Sequence, residues 1–205
     1  MARSTPSRAS DSPRDAIALL KQDHRTVEAL FDEFESADEE EQSSIAERVC
    51  QLLTIHAQIE EEILYPEAME ALEDEEDSEL VHEAQVEHAS AKDLIAKIEG
   101  MAPEDDGFRA TVKVLGEYVK HHVKEEEGEL FPKLKKAEID LKDMGSRLAD
   151  RKFALMEQIG IQAEEPAPAR KRATAKGSRA AGARARQARA GSRRSSRSSS
   201  RATRH

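Results

Sequence analysis

Apolar residues recur along this chain in steps of three and four. The first seam reads Ile17, Leu20, His24, Val27, Phe31 and Phe34. A second reads Ile45, Val49, Leu52 and His56, then Ile59/Glu60 and Ile63. Val81, Ala84, His88, Ala91, Ile95 and Ile98 form a third; Phe108, Val112, Leu115, Val119, His122 and Glu126 form a fourth. Such steps keep one stripe of a helix turned to a core, as in helical bundles.

The pattern predicts four helices. The first starts near Asp11 or Ser12, with Pro13 in its first turn, and ends about Ala37. The second runs from Ser43 or Ser44 to about Leu72, with Pro66 interrupting or kinking its end. The third spans Ser78 to Glu99, and the fourth begins near Phe108. Between them, Asp38 to Glu41 and Glu73 to Asp77 read as acidic connections, and Gly100 to Gly107, holding Pro103, as a loop. Ile139 to Ile159 predicts a fifth helix packed outside the bundle through Leu141, Met144, Leu148, Leu155 and Met156, although Gly145 opposes helix.

Short connections imply an up-down-up-down four-helix bundle, an all-α fold. The expected organisation is a disordered leader at 1–12, the bundle at 13–137, an accessory helix at 138–161 and a disordered basic tail at 162–205. Composition agrees: charged residues reach 36% and aromatics only 3%, which favours helix over sheet. The single cysteine, Cys50, excludes an intramolecular disulfide and thiolate clusters, and reads as a small buried hydrophobe. Met1 to Asp15 lacks the apolar segment of a secretory signal, and no run approaches the roughly 18 apolar residues of a membrane span. The expectation is a cytoplasmic protein without a membrane partner.

Charge divides the chain. All 42 acidic residues precede Pro166, whereas 13 of the 32 basic residues follow it. An acidic domain therefore carries an Arg/Ser/Ala-rich tail too poor in large apolar residues to fold. Such a tail neutralises phosphates by counterion release, and without aromatics to stack on bases its nucleic-acid binding would be weak and non-specific. The competing reading is that it folds back onto its own acidic domain or aids solubility.

The chemistry lies in the seams. Each one places a histidine where an apolar residue belongs, and two continue as His56-x-x-x-Glu60 and His122-x-x-x-Glu126, each followed ten residues after its histidine by Pro66 or Pro132. Residues four apart share a helix face. His24 to His56 spans 32 residues and His88 to His122 spans 34, so the two hairpins repeat in register. A pseudo-twofold arrangement would gather four histidines and two glutamates. Buried polar groups are costly unless satisfied, and coordination satisfies all six together. A carboxylate-bridged dimetal site in a bundle core is the reading these residues support. Neighbouring groups are expected outside it. His121 points about 100° away from His122, and His82 is off its seam. Glu61, Glu125 and Glu127 read as solvated, with Glu127 as the reserve ligand. Tyr65 and Phe131 read as core caps. Asp23 and Glu87 read as exposed, or as acceptors for imidazole N–H groups.

This order of motifs, from a histidine on the first helix to HxxxE with Phe-Pro on the fourth, resembles the hemerythrin-like HHE cation-binding family over roughly residues 14–135. The resemblance implies a non-haem diiron centre, two iron ions held by His24, His56, Glu60, His88, His122 and Glu126, with the glutamates as bridges. Manganese or zinc suits the same donors. Oxygen carriers of the family place two histidines four apart on the third helix, whereas here the position four before His88 is Ala84. That departure implies an open or water-filled position, as in an iron-, oxygen- or NO-responsive relative.

The leading expectation is a protein that binds or senses dioxygen or a related small ligand, or handles iron. The nitrogen-rich donor set favours reversible binding over oxidation. A diiron oxidase or peroxidase-like enzyme is the alternative from another class, and a nucleic-acid-associated protein acting through the tail is the third. The oligomeric state is not readable from the sequence.

Overall fold

The protein is described by a computed structural model covering residues 15–161; the expectations for the leader and the basic tail fall outside these residues. Among them the fold is all-helical. Helix α1 spans Ala16–Ser36 and α2 Glu39–Ile59, continued through a π turn at Glu60–Leu64 into α3, Tyr65–Ala71. Helix α4 spans Glu75–Glu99 and α5 Phe108–Glu125, continued through a second π turn at Glu126–Leu130 into α6, Phe131–Leu134. The accessory helix α7 is Leu141–Gln158. The four-helix bundle and its fifth helix are as expected.

Three helix starts differ from expectation, and the acidic residues explain them. Asp15, not Asp11 or Ser12, caps α1, accepting from the Ala18 N–H at 2.8 Å. Asp38 likewise caps α2, so Glu39, Glu40 and Glu41 form its first turn instead of a connection. Glu75, Glu76 and Asp77 form the first turn of α4 after Asp74, whose side chain makes no capping bond. Carboxylates complement the positive end of a helix dipole, so these acidic runs extend the helices that follow them.

Two apolar clusters make the core. One holds Leu20, Ile59, Leu64, Val81, Leu134 and Met144; the other holds Val27, Phe34, Val49, Leu53, Ile95 and Leu115. Full burial of each such side chain contributes about 1.5–3 kcal/mol. Leu53 rather than Leu52 takes the core position of α2, and Leu52 is half-buried. On every bundle helix the histidine falls at or next to the junction of the two clusters. A polar layer is thus clamped between apolar ones.

Helix α7 closes the side of the bundle beside α1 and α2. Gly145 permits this. A Cβ there would stand 2.7 Å from the Ala16 nitrogen and 2.7 Å from the Asp15 carbonyl carbon. The residue that weakens the sequence signal for α7 is the one that lets its backbone approach α1. Arg151 pairs with Glu62, Arg147 with Glu67 and Lys152 with Asp23, fastening the helix at three points.

Candidate metal centre

His24, His56, His88 and His122 are all buried, as are Glu60 and Glu126. Their atoms converge. His24 Nε2 is 3.1 Å from His56 Nε2, and His88 Nε2 is 3.3 Å from His122 Nε2. Glu126 Oε2 lies 3.2 Å from His24 Nε2. Glu60 Oε2 lies 3.3 Å from His56 Nε2 and 3.4 Å from His88 Nε2. Two donor groups result: His24, His56, Glu60 and Glu126 form one, and Glu60, His88 and His122 the other. Glu60 belongs to both, whereas Glu126 belongs to the first.

The π turns set this geometry and were not legible in the spacing. In both, an i→i+5 bond closes the helix: the Tyr65 N–H donates to the Glu60 carbonyl, and the Phe131 N–H to that of Glu126. The aromatic ring is carried over its glutamate, where an α-helix would place residue 64 or 130. Hence Ile63 is only half-buried while Leu64 and Tyr65 are buried. Tyr65, expected only to cap the core, also puts its hydroxyl 3.2 Å from His88 Nε2. Its counterpart Phe131 stacks on His24 with ring centroids 6.0 Å apart. The repeat is therefore unequal, with a hydroxyl beside the three-donor group and none beside the four-donor group.

Every imidazole faces a carboxylate with its other nitrogen. His24 Nδ1–H donates to Glu127 at 2.9 Å, His88 Nδ1–H to Glu61 at 3.2 Å, and His122 Nδ1–H to Glu87 at 2.9 Å. His56 Nδ1 lies 3.6 Å from Asp23 Oδ2, beyond hydrogen-bonding distance. Glu61 and Glu127 are thus half-buried partners rather than solvated side chains, and Asp23 and Glu87 are also drawn in. A sequence signal exists for all four. An acid precedes the first histidine of each hairpin, and an acid follows the glutamate of each HxxxE. Lysines hold three of these acids from outside: Lys21 on Glu127, Lys92 on Glu61 and Lys152 on Asp23.

With Nδ1 turned outward, the Nε2 atoms of each histidine pair face one another across about one hydrogen-bond length. Both oxygens of Glu60, 0% exposed, and both oxygens of Glu126 lack a hydrogen-bond donor. Buried acceptors without donors are destabilising, and a cation among them supplies what is missing. The ionisation pattern suits this. Burial lowers His56 to about 4, with Asp23 only partly opposing it, and burial also lowers His88. Burial thus favours the neutral form of both imidazoles, the form that ligates metals. Burial alone would lower His24 too, but the Glu126, Glu60 and Glu127 carboxylates raise it to about 9. Burial and then the Glu126 charge push Glu60 well above the usual carboxylate range, whereas His24 and His122 outweigh burial and bring Glu126 down to about 2. Burial at Glu60 and the carboxylates around His24 thus favour a proton in the metal-free site, in competition with a cation.

A cavity of about 30 Å³ opens beside the histidines, walled by Val27, Leu53, Ala57, Ala91, Ile95 and Val119. That is room for about one or two water-sized molecules. Of the remaining sequence candidates, His82 lies at the surface and Cys50 is buried, its thiol pushed up to about 12 by burial. Among the described residues, no helix is long and apolar enough to cross a membrane.

Comparison with known proteins bears on the family and the fold. A DNA nickase from Nostoc sp. (strain PCC 7120 / SAG 25.82 / UTEX 2576) is 31% identical over 114 residues, 55% of this chain; the match spans only 31% of the nickase. The fold is similar to the crystal structure of a hemerythrin HHE cation binding domain-containing protein from Mycobacterium kansasii. The TM-score is 0.61 at 21% identity, covering 70% of this chain and 88% of that one. The hemerythrin HHE cation binding domain itself matches residues 15–134. With that match spanning more than half of its length and a cluster of buried histidines and glutamates that could hold a cation, this chain belongs to the hemerythrin HHE family and is a metal-binding, hemerythrin-like protein.

Proposed function

We propose that the polar layer holds two iron ions, one among His24, His56, Glu60 and Glu126 and one among Glu60, His88 and His122, with Glu60 as the bridge. The observation carrying this reading is that Glu60 belongs to both donor groups while neither of its oxygens has a hydrogen-bond donor. Imidazole and carboxylate donors suit first-row divalent ions. The Tyr65 hydroxyl adds a donor beside the second ion, where the chain carries Ala84 in place of a histidine.

On this reading the protein binds or senses dioxygen or a related small ligand. The ion pair, when bound, supplies ligand binding and electron exchange. The chain's own residues do the rest. The four carboxylates orient the imidazoles, and the apolar cavity admits a small uncharged molecule while keeping bulk water out. Metal analysis and the absorption spectrum of anaerobically purified protein, before and after air, test it. The reading expects two irons per chain and a band that appears with oxygen and reverses on its removal. Steady consumption of peroxide or a reductant would favour the oxidase or peroxidase-like alternative, and fewer than two bound ions would sink the dimetal reading.

A second reading rests on a separate observation, the 13 basic residues after Pro166, in a chain whose 31%-identical relative is named a DNA nickase. The tail would bind nucleic acid weakly, with strong salt dependence. A chain ending at Glu165 should lose retention on DNA at low salt; equal retention contradicts this reading.

A further inference from the structure

Of the four carboxylates that face the histidines, Glu87 is the one without a lysine among the described residues. Its Oε2 accepts from His122 Nδ1–H, but its Oε1 faces His121 Nε2 at 3.5 Å. His121 Nε2 also lies 3.3 Å from Glu125 Oε1. One imidazole nitrogen and two carboxylate oxygens, from α4 and α5, thus meet at the surface within 4.8 Å of one another. For tetrahedral metal–ligand bonds of about 2.1 Å, neighbouring donors stand about 3.4 Å apart. The observed spacings bracket that value.

The cluster does not end at the surface. Glu87 and Glu125 line the mouth of a narrow cleft whose inner wall includes His122 and Glu126, with Glu83 at its side. Glu126 is 3% exposed, and its Oε1 has no hydrogen-bond donor. An acceptor that deep and unpartnered, lining the same cleft, marks a path for positive charge from the rim to the interior.

We infer that Glu87, His121 and Glu125 form an outer site for a divalent first-row cation, which delivers the ion through this cleft to the buried centre. The donor set, one nitrogen with two carboxylates, suits ions such as Fe²⁺, Mn²⁺ or Co²⁺ over Mg²⁺ or Ca²⁺, which prefer all-oxygen shells. Occupying the site gives Glu87 the cation that lysines give the other three carboxylates. Because Glu87 also orients His122, an ion outside and an ion inside share one carboxylate. The delivery role rests on the dimetal reading above; the outer site itself does not.

The test is Co²⁺ titration of metal-free full-length protein, followed by equilibrium dialysis and visible absorption, with stopped-flow for the rate of loading. The unchanged protein should take up its tight ions and then one weaker Co²⁺ per chain. His121 and Glu125 are 59% and 37% exposed, so the double variant His121→Ala/Glu125→Gln should fold. It should bind the weaker ion at least about tenfold less well, since even outer-sphere partners are worth about 10–100-fold in affinity. Its tight ions should be unchanged in number but slower to load. A weaker equivalent retained in the variant overturns the outer site, in favour of a plain imidazolium–carboxylate cluster. A weaker equivalent lost without slower loading overturns delivery alone. Absence of tight ions from the unchanged protein is a failure of the dimetal reading, and the weaker equivalent still decides the outer site.

Discussion

Nδ1 of His24 lies 2.9 Å from Oε1 of Glu127, and the two residues sit on helices 103 positions apart in sequence. The same contact recurs with the hairpins exchanged: Glu61, on the first hairpin, meets His88 on the second. Asp23 and Glu87 instead face histidines of their own hairpins, His56 and His122. Each hairpin therefore sets one carboxylate against an imidazole of its own and one against an imidazole of its partner. This reciprocity ties the two hairpins together at the layer where the apolar core is interrupted.

Glu127→Gln keeps the shape and removes the charge opposite His24. Metal affinity should fall by about 10–100-fold, the usual worth of a carboxylate behind a ligating histidine. Far-ultraviolet circular dichroism should be unchanged. Competition against a chelator of known affinity measures the loss. Equal affinity would mean that Glu127 serves only Lys21.

Glu60→Met should separate stability from function. In the metal-free protein it replaces a buried carboxylate whose oxygens lack donors by an apolar side chain of similar length. Removing such a group should stabilise that state by about 1–3 kcal/mol. Because Glu60 belongs to both donor groups, neither ion should bind normally. Denaturant titration of metal-free protein, paired with metal analysis, checks both halves. A destabilised variant with full metal content would contradict the assignment.

Gly145→Ala should destabilise the fold although alanine favours helix by about 1 kcal/mol over glycine. Its Cβ meets backbone atoms of Asp15 and Ala16, which cannot swing aside. Overpacking of this kind costs about 1–3 kcal/mol. Gly116→Ala is the control, since its Cβ would meet only the side chain of half-buried Phe31, at 3.2 Å. Comparison of the two denaturation midpoints decides it. Equal shifts would contradict the close approach of α7.

The metal-free protein should lose stability as pH rises from about 6.5 to about 9. His24 is raised from 6.5 to about 9, so its contribution is complete below 6.5 and is lost as pH climbs through 9. Glu60, raised well above its ordinary value of 4.5, acts in the same direction, because the unfolded chain ionises first as pH rises. His56 and Glu126 act at the acid end. Stability held by neutral His56 is lost between 6.5 and about 4, and that held by ionised Glu126 between 4.5 and about 2. Metal affinity should rise over the window in which stability falls, since protons and metal compete for the same nitrogens. Thermal midpoints of metal-free protein at constant ionic strength test this; a flat profile from 6.5 to 9 would contradict it.

The periodicity of apolar residues determined the bundle, its helix count and the inward faces of His24, His56, His88 and His122, because a 3.6-residue helix repeats its face at fixed intervals. HxxxE spacing determined that Glu60 and Glu126 lie on those faces for the same reason. What an α-helical repeat cannot express was decided by the tertiary structure. The π turns carry Tyr65 and Phe131 over their glutamates, which gives one donor group a hydroxyl and the other an apolar ring. Gly145 reads as a helix weakener until α1 is seen against it. Charge is the most context-bound property of all. Glu61 and Glu127 look like any surface acids along the chain. Only packing of one hairpin on the other brings each to an imidazole more than 25 residues away, in surroundings dry enough for the contact to matter.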